Sequence, residues 1–166
     1  MPTERVFPPL EAQERAMLEA WLDFHRDTLA VKCEGLSDEQ LRERAVPPSS
    51  LSLLGLIRHM AEGERQWFRI VLAGEPEKYH YYTDETPEAE FDVEDADVTE
   101  AFETWQSECA AARELVAATP SLDSTGSQEG KDYSLRWIMI HMIEEYARHN
   151  GHADFLRERI DGTVGA

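Results

Sequence analysis

The stretch Trp137–Leu156, WIMIHMIEEYARHNGHADFL, decides the fold. It reads as one long helix with His141, Glu145 and His149 four residues apart on a single line, since side chains four apart sit one above the other. The same stripe carries Ile138, Met142, Ala153 and Leu156, so these polar groups point at or near a core. A carboxylate held between imidazoles away from water is costly unless something compensates it, and a metal ion is the obvious compensation. A straight helix does not bring residues two turns apart, about 12 Å along its axis, onto one small ion. Glu145 and His149 are therefore the pair to keep. His141 falls to a supporting position or to the surface.

The rest of the chain supplies partners for that helix. Met1–Pro9 reads as a short extended lead-in. Leu10 to about Lys32 reads as a helix, with Leu18, Trp21, Leu22, Phe24, His25 and Leu29 at helical spacing. Gly35 breaks it. Ser37-Asp-Glu-Gln40 is a capping box that opens a short helix to about Arg44. Ser50 or Ser52 caps the next helix, which runs to about Ala73 and buries Leu53, Leu54, Ile57, Met60, Ala61, Trp67, Phe68 and Val71, with His59 at the edge of that face. Gly74 to about Ala96 is a long loop carrying Tyr79, His80, Tyr81, Tyr82 and many acids. It reads either as a functional or mobile segment or as a solvated connector. Val98–Ala118 forms a clean amphipathic helix. Pro120–Asp132 reads as a polar turn region, with no strand expected. Ser134 caps the last helix, which runs to about Ile160 and is ended by Gly162 and Gly165. Four long amphipathic helices imply an all-α, four-helix bundle with an additional short helix and long connecting loops, as one domain over 1–166.

Composition narrows the partners. The 166 residues include 16 Lys and Arg against 34 Asp and Glu, a formal net charge of −18. That balance argues against nucleic acid, whose binding relies on basic side chains neutralising phosphates, and against an anionic membrane surface. It fits a self-repelling soluble protein with a small ligand. The start lacks the apolar run of a signal peptide, and no segment is long and apolar enough to span a bilayer. Cys33 and Cys109 are expected as two free buried thiols, and the compartment as cytoplasm.

Helical bundles build metal sites from side chains on facing helices. Glu145 and His149 can converge on one ion, and His59, within LLGLIRHMAEGERQWF, is the best third donor from another helix. Two histidines and one carboxylate leave positions open for water or substrate, the pattern of a catalytic metal site. His152 is a reserve for the third position. The bland alternatives are a satisfied core or surface histidine and a chance ExxxH in a Glu-rich helix. His25 reads as helix surface or core edge, and His80 as loop. Arg58, Arg65 and Arg148 are either solvated or available to a substrate carboxylate. Trp67, Trp137 and Tyr146 read as core aromatics. The chain has no GxSxG, Walker A or GxGxxG motif.

His59 in its helix, followed by HMIEEYARHNGHADFLRE at 141–158, resembles the DinB/YfiT-like superfamily of metal-binding four-helix bundles. The nearer resemblance is to its actinobacterial branch, which includes proteins labelled mini-circle protein and is related to the mycothiol-dependent maleylpyruvate isomerase group. The resemblance covers most of the chain. Position by position it implies a metal held by His59, Glu145 and His149, with glutamate at 145 as in the isomerase-like branch. It implies zinc, or alternatively nickel, iron or manganese, and a thiol cofactor such as mycothiol. The function implied is a thiol-dependent S-transferase in which the metal activates the cofactor thiolate toward an electrophile. The alternative is a non-catalytic metal-binding stress-response or small-ligand-binding bundle. Arg148 and His152 are the candidates for cofactor contacts, and a homodimer is the expected assembly. The isomerases carry an added C-terminal domain, which this chain is expected to lack.

Overall fold

Helices begin where a side-chain oxygen can cover the first free N–H groups, and four of the five α-helices among the described residues do so. A computed structural model describes residues 5–165. Helix α2 (Asp38–Arg42) opens on the Ser37–Gln40 capping box. Helix α3 (Leu53–Glu64) opens on Ser52 rather than Ser50. Helix α4 (Val98–Ala118) opens on Asp97, and α5 (Leu135–Asp161) on Ser134. Gly162 closes α5 in the left-handed conformation, φ 80°, that a side chain would strain. Helix α1 (Glu14–Cys33) has no side-chain cap at Gln13 and starts four residues later than Leu10. The first four residues of the expected lead-in lie outside the described residues.

The observed fold is an all-α bundle of four long helices with a short extra one. α1 packs along α5, α3 along α4, and α3 also meets α5. Their shared core includes Leu22, Leu29, Leu53, Leu54, Ile57, Met60, Phe68, Ile138, Met142 and Tyr146, all essentially inaccessible. Each large apolar side chain so buried contributes on the order of 1.5–3 kcal/mol. Cys33 and Cys109 are both free and buried. Burial pushes the Cys33 thiol up to about 12, so it is not a ready nucleophile. Among the described residues, no helix is long and apolar enough to cross a membrane.

The structure corrects the sequence reading in three places. First, the helix to Ala73 is not uniform: after Glu64 it widens into a π-helical segment, Arg65–Leu72. Such segments are uncommon and concentrate at functional sites. Second, the polar turn region contains an antiparallel hairpin, β1 (Thr125–Gln128) with β2 (Lys131–Ser134), in register from Thr125↔Ser134 to Gln128↔Lys131. Its two-residue turn puts Glu129 at φ 52° and Gly130 at φ 74°, the pair of positive angles a type I′ turn requires. Gly126 lets this hairpin lie against the π-helical segment, because a Cβ there would collide with the Val71 carbonyl. Third, Trp137 is not a core aromatic. It is 44% exposed, and its ring stacks on His141.

Candidate metal centre

Two helices bring the predicted donors together. α5 carries Glu145 and His149 one turn apart, and α3 faces them with His59. One ligand atom from each lies within 4.8 Å of the others. His149 Nε2 is 3.4 Å from Glu145 Oε2, and His59 Nε2 is 3.9 Å from the same oxygen. In a tetrahedral site with bonds of about 2.1 Å, donors lie roughly 3.4 Å apart. One separation already matches, and the other needs a contraction of about half an ångström. The donor chemistry and spacing therefore fit a divalent ion.

The electrostatics suit the same purpose. Burial, together with the neighbouring His59, pushes the His149 imidazole down to about 4, against the pull of Glu145. His149 is thus neutral near pH 7, the form that can donate a lone pair. Its Nδ1 lies 3.3 Å from His152 Nδ1.

His59 is held by a group the sequence reading missed. Glu90 Oε1 lies 3.4 Å from His59 Nδ1. Burial works against ionisation of Glu90, but His59 beside it holds its carboxyl below the ordinary value. An ionised carboxylate only accepts, so His59 donates from Nδ1, which leaves Nε2, on the Glu145 side, as the nitrogen that would face an ion. This carboxylate–histidine arrangement is how metal-ligating imidazoles are usually oriented.

Glu90 comes from the long loop, in a single 3-10 turn, Ala89–Phe91. Three clamps hold that loop on the bundle. The Glu62 carboxylate accepts the backbone N–H groups of His80, Tyr81 and Tyr82 at 2.5–3.1 Å. Arg58 donates to the Asp92 carbonyl at 2.6 Å and lies 4.0 Å over the Tyr81 ring. Phe91 stacks on His59 with ring centroids 5.3 Å apart, in space left by Gly55. Farther along, Glu108 Oε1 gathers His80, Arg65 and Arg69 at 2.8, 3.0 and 3.2 Å. The loop is therefore fastened to the bundle at several points, and neither Arg58 nor Arg65 is solvated.

A cavity of about 380 Å³ opens beside the donors, with His59, Glu90 and Glu145 in its wall. Trp67, Tyr79, Tyr82 and His141 form its aromatic side. His141 is half-buried between Trp67 and Trp137. A second donor group, His141 with Glu144 and Glu145, is more exposed. Arg148 and His152 are not in the cavity wall. Arg148 is largely exposed, 3.8 Å from Glu145, and His152 touches only the back of the His149 ring among these donors. His25 is half-buried and bonded to Asn150.

A family model described as Mycothiol-S-transferase matches residues 17–162 of the chain. Neither the curated proteins nor the solved structures gave a match.

Proposed function

The chain belongs to the mycothiol-S-transferase family, and on that premise we propose that it is a metal-dependent transferase joining a mycothiol-type thiol to an electrophile. The observation that carries this reading is the convergence of His59, Glu145 and His149 within 4.8 Å beside an open cavity. His59 Nε2, His149 Nε2 and Glu145 Oε2 would hold a divalent ion, zinc in the first instance, since two imidazoles and a carboxylate suit zinc as well as nickel, iron or manganese. When bound, the ion would supply a lowered thiol pKa, so that the sulfur is a thiolate at neutral pH.

The chain's own groups do the rest. Neutral His149 keeps a lone pair on the donor side. Glu90 fixes the tautomer and ring orientation of His59. Glu145 offsets part of the cation's charge. The aromatic cavity wall holds the electrophile against the sulfur and excludes water. The thiol proton leaves to solvent, a C–S bond forms, and the displaced group departs with its bonding electron pair.

Tag-free protein tests the reading by elemental analysis and by conjugation of mycothiol to a fluorogenic alkyl bromide. The expected result is about one divalent ion per chain and metal-dependent product. Protein that binds no divalent metal on loading would overturn it. Metal binding without turnover of any electrophile would leave a non-catalytic metal-binding bundle.

A further inference from the structure

The cavity wall restricts the charge of whatever enters it. We propose that its occupant is an electrophile bearing no carboxylate or phosphate, with an ammonium or hydroxyl donor on an aromatic or alkyl body. The proposal rests on the transferase reading and names its second substrate class.

Four carboxylates line the cavity: Glu62, Glu77, Glu90 and Glu145. Among the described residues lining it there is no arginine or lysine. A dication at the donor set offsets two of the four charges, and a thiolate restores one. An anionic substrate therefore meets net repulsion in a half-enclosed, partly desolvated space, where like charges interact more strongly than in water. The nearby basic groups do not relieve this. Arg65 and Arg69 are bound to Glu108, Arg58 lies over Tyr81 and donates to Asp92, and Arg148 stands outside the wall beside Glu145. A dicarboxylate such as maleylpyruvate would find no arginine or lysine in this wall, and the dication is already outweighed by the four carboxylates.

A second observation points the same way. Glu90 is only 9% exposed, its Oε1 is engaged by His59, and its Oε2 is buried without a hydrogen-bond partner. A buried acceptor left unpaired is costly, and because Glu90 itself lines the cavity, a small turn of its carboxylate would let a ligand donor satisfy it. Carboxylate or phosphate oxygens do not supply that proton when ionised, whereas ammonium and hydroxyl groups do. The aromatic lining residues, Trp67, Tyr79, Tyr82 and His141, suit a ring or alkyl body, and the Trp and Tyr faces attract cations.

The test uses metal-loaded full-length protein without any thiol. Binding of phenethylamine, 2-phenylethanol and phenylacetate, with the same carbon count and different charge, is measured by calorimetry. The expected order places the amine tightest and the carboxylate weakest, with a gap of about tenfold or more at low salt. The gap should narrow at roughly 0.5 M salt by screening, and also in Glu77→Gln, whose exposed side chain tolerates the change. A carboxylate probe that binds as well as the amine overturns the proposal, as does a gap that salt and Glu77→Gln both leave unchanged. Because no thiol is present, this failure is distinct from a failure to make conjugate. A conjugation assay with the same three charges on one leaving group then reads the order in kcat/KM.

Discussion

Two polar clusters share this bundle, one in the core and one at the cavity wall, and they are completed in opposite ways. In the first, Arg26 on α1 donates to both oxygens of Glu64 on α3 at 2.7 Å and to Asp23 at 2.9 Å. Tyr146 on α5 donates to Glu64 at 2.7 Å and accepts from Trp105 on α4 at 2.8 Å. Burial alone would lower the Arg26 pKa, but Glu64 holds it well above the ordinary value. Every long helix of the bundle contributes, and donors match acceptors. In the second cluster acceptors outnumber donors. His59 Nε2 lies 3.9 Å from Glu145 Oε2, beyond a hydrogen bond, and Glu90 keeps an unpaired oxygen. A matched cluster ties helices together. One with surplus acceptors is arranged to receive a cation and a donor from outside.

Breaking the matched cluster should cost the most. Glu64→Ala leaves the buried Arg26 with only the half-exposed Asp23 as an anionic partner and strips Tyr146 of its acceptor, and urea unfolding should show a loss of about 3–5 kcal/mol, with or without metal. His149→Ala should behave differently. Chelated protein should keep its stability within about 1 kcal/mol, while the stabilisation from metal, about 2.7 kcal/mol at a hundredfold excess over Kd, disappears. If His149→Ala unfolds the chelated protein as Glu64→Ala does, the distinction between the clusters fails.

Smaller effects sharpen the contrast. Glu90→Gln should weaken metal binding about 10- to 100-fold in a chelator competition, yet cost the metal-free protein no more than about 1 kcal/mol, since the amide keeps an acceptor for His59. Lost stability without lost affinity would mark Glu90 as a structural residue. Glu108 gives the pH test. Burial resists its ionisation, but His80, Arg65 and Arg69 hold its carboxyl below the ordinary value. A folded-state pKa below the unfolded one adds stability above the unfolded pKa, which is lost as pH falls through the folded value. Wild type should therefore exceed Glu108→Gln by about 1–2 kcal/mol at pH 7 in urea titrations, with the gap closing as pH falls through and below the usual carboxylate range.

What can be read in advance follows the range of the forces involved. The Ser37, Ser52 and Ser134 caps act within three residues, and the Glu145–His149 pair within four. His59 stands out as an imidazole on an apolar helix. The hairpin is hard to foresee because Glu129-Gly130 lacks the usual asparagine or aspartate of such turns. Arg26 and Glu64 look like ordinary helix charges, since nothing local marks a pair 38 residues apart. Glu90, 31 residues from His59, sits among many acids in a loop without periodicity.

The sequence by itself thus determined most of the helices and their capped ends, the charge of the chain and the three side chains proposed as donors. Those properties rest on hydrogen bonds and periodicities spanning a few residues. Only the tertiary structure decided which carboxylate stands behind His59, which acids pair inside the core and which face the cavity. Those choices depend on how helices and loop pack together, and in a chain with 34 acidic residues no local pattern distinguishes one glutamate from another.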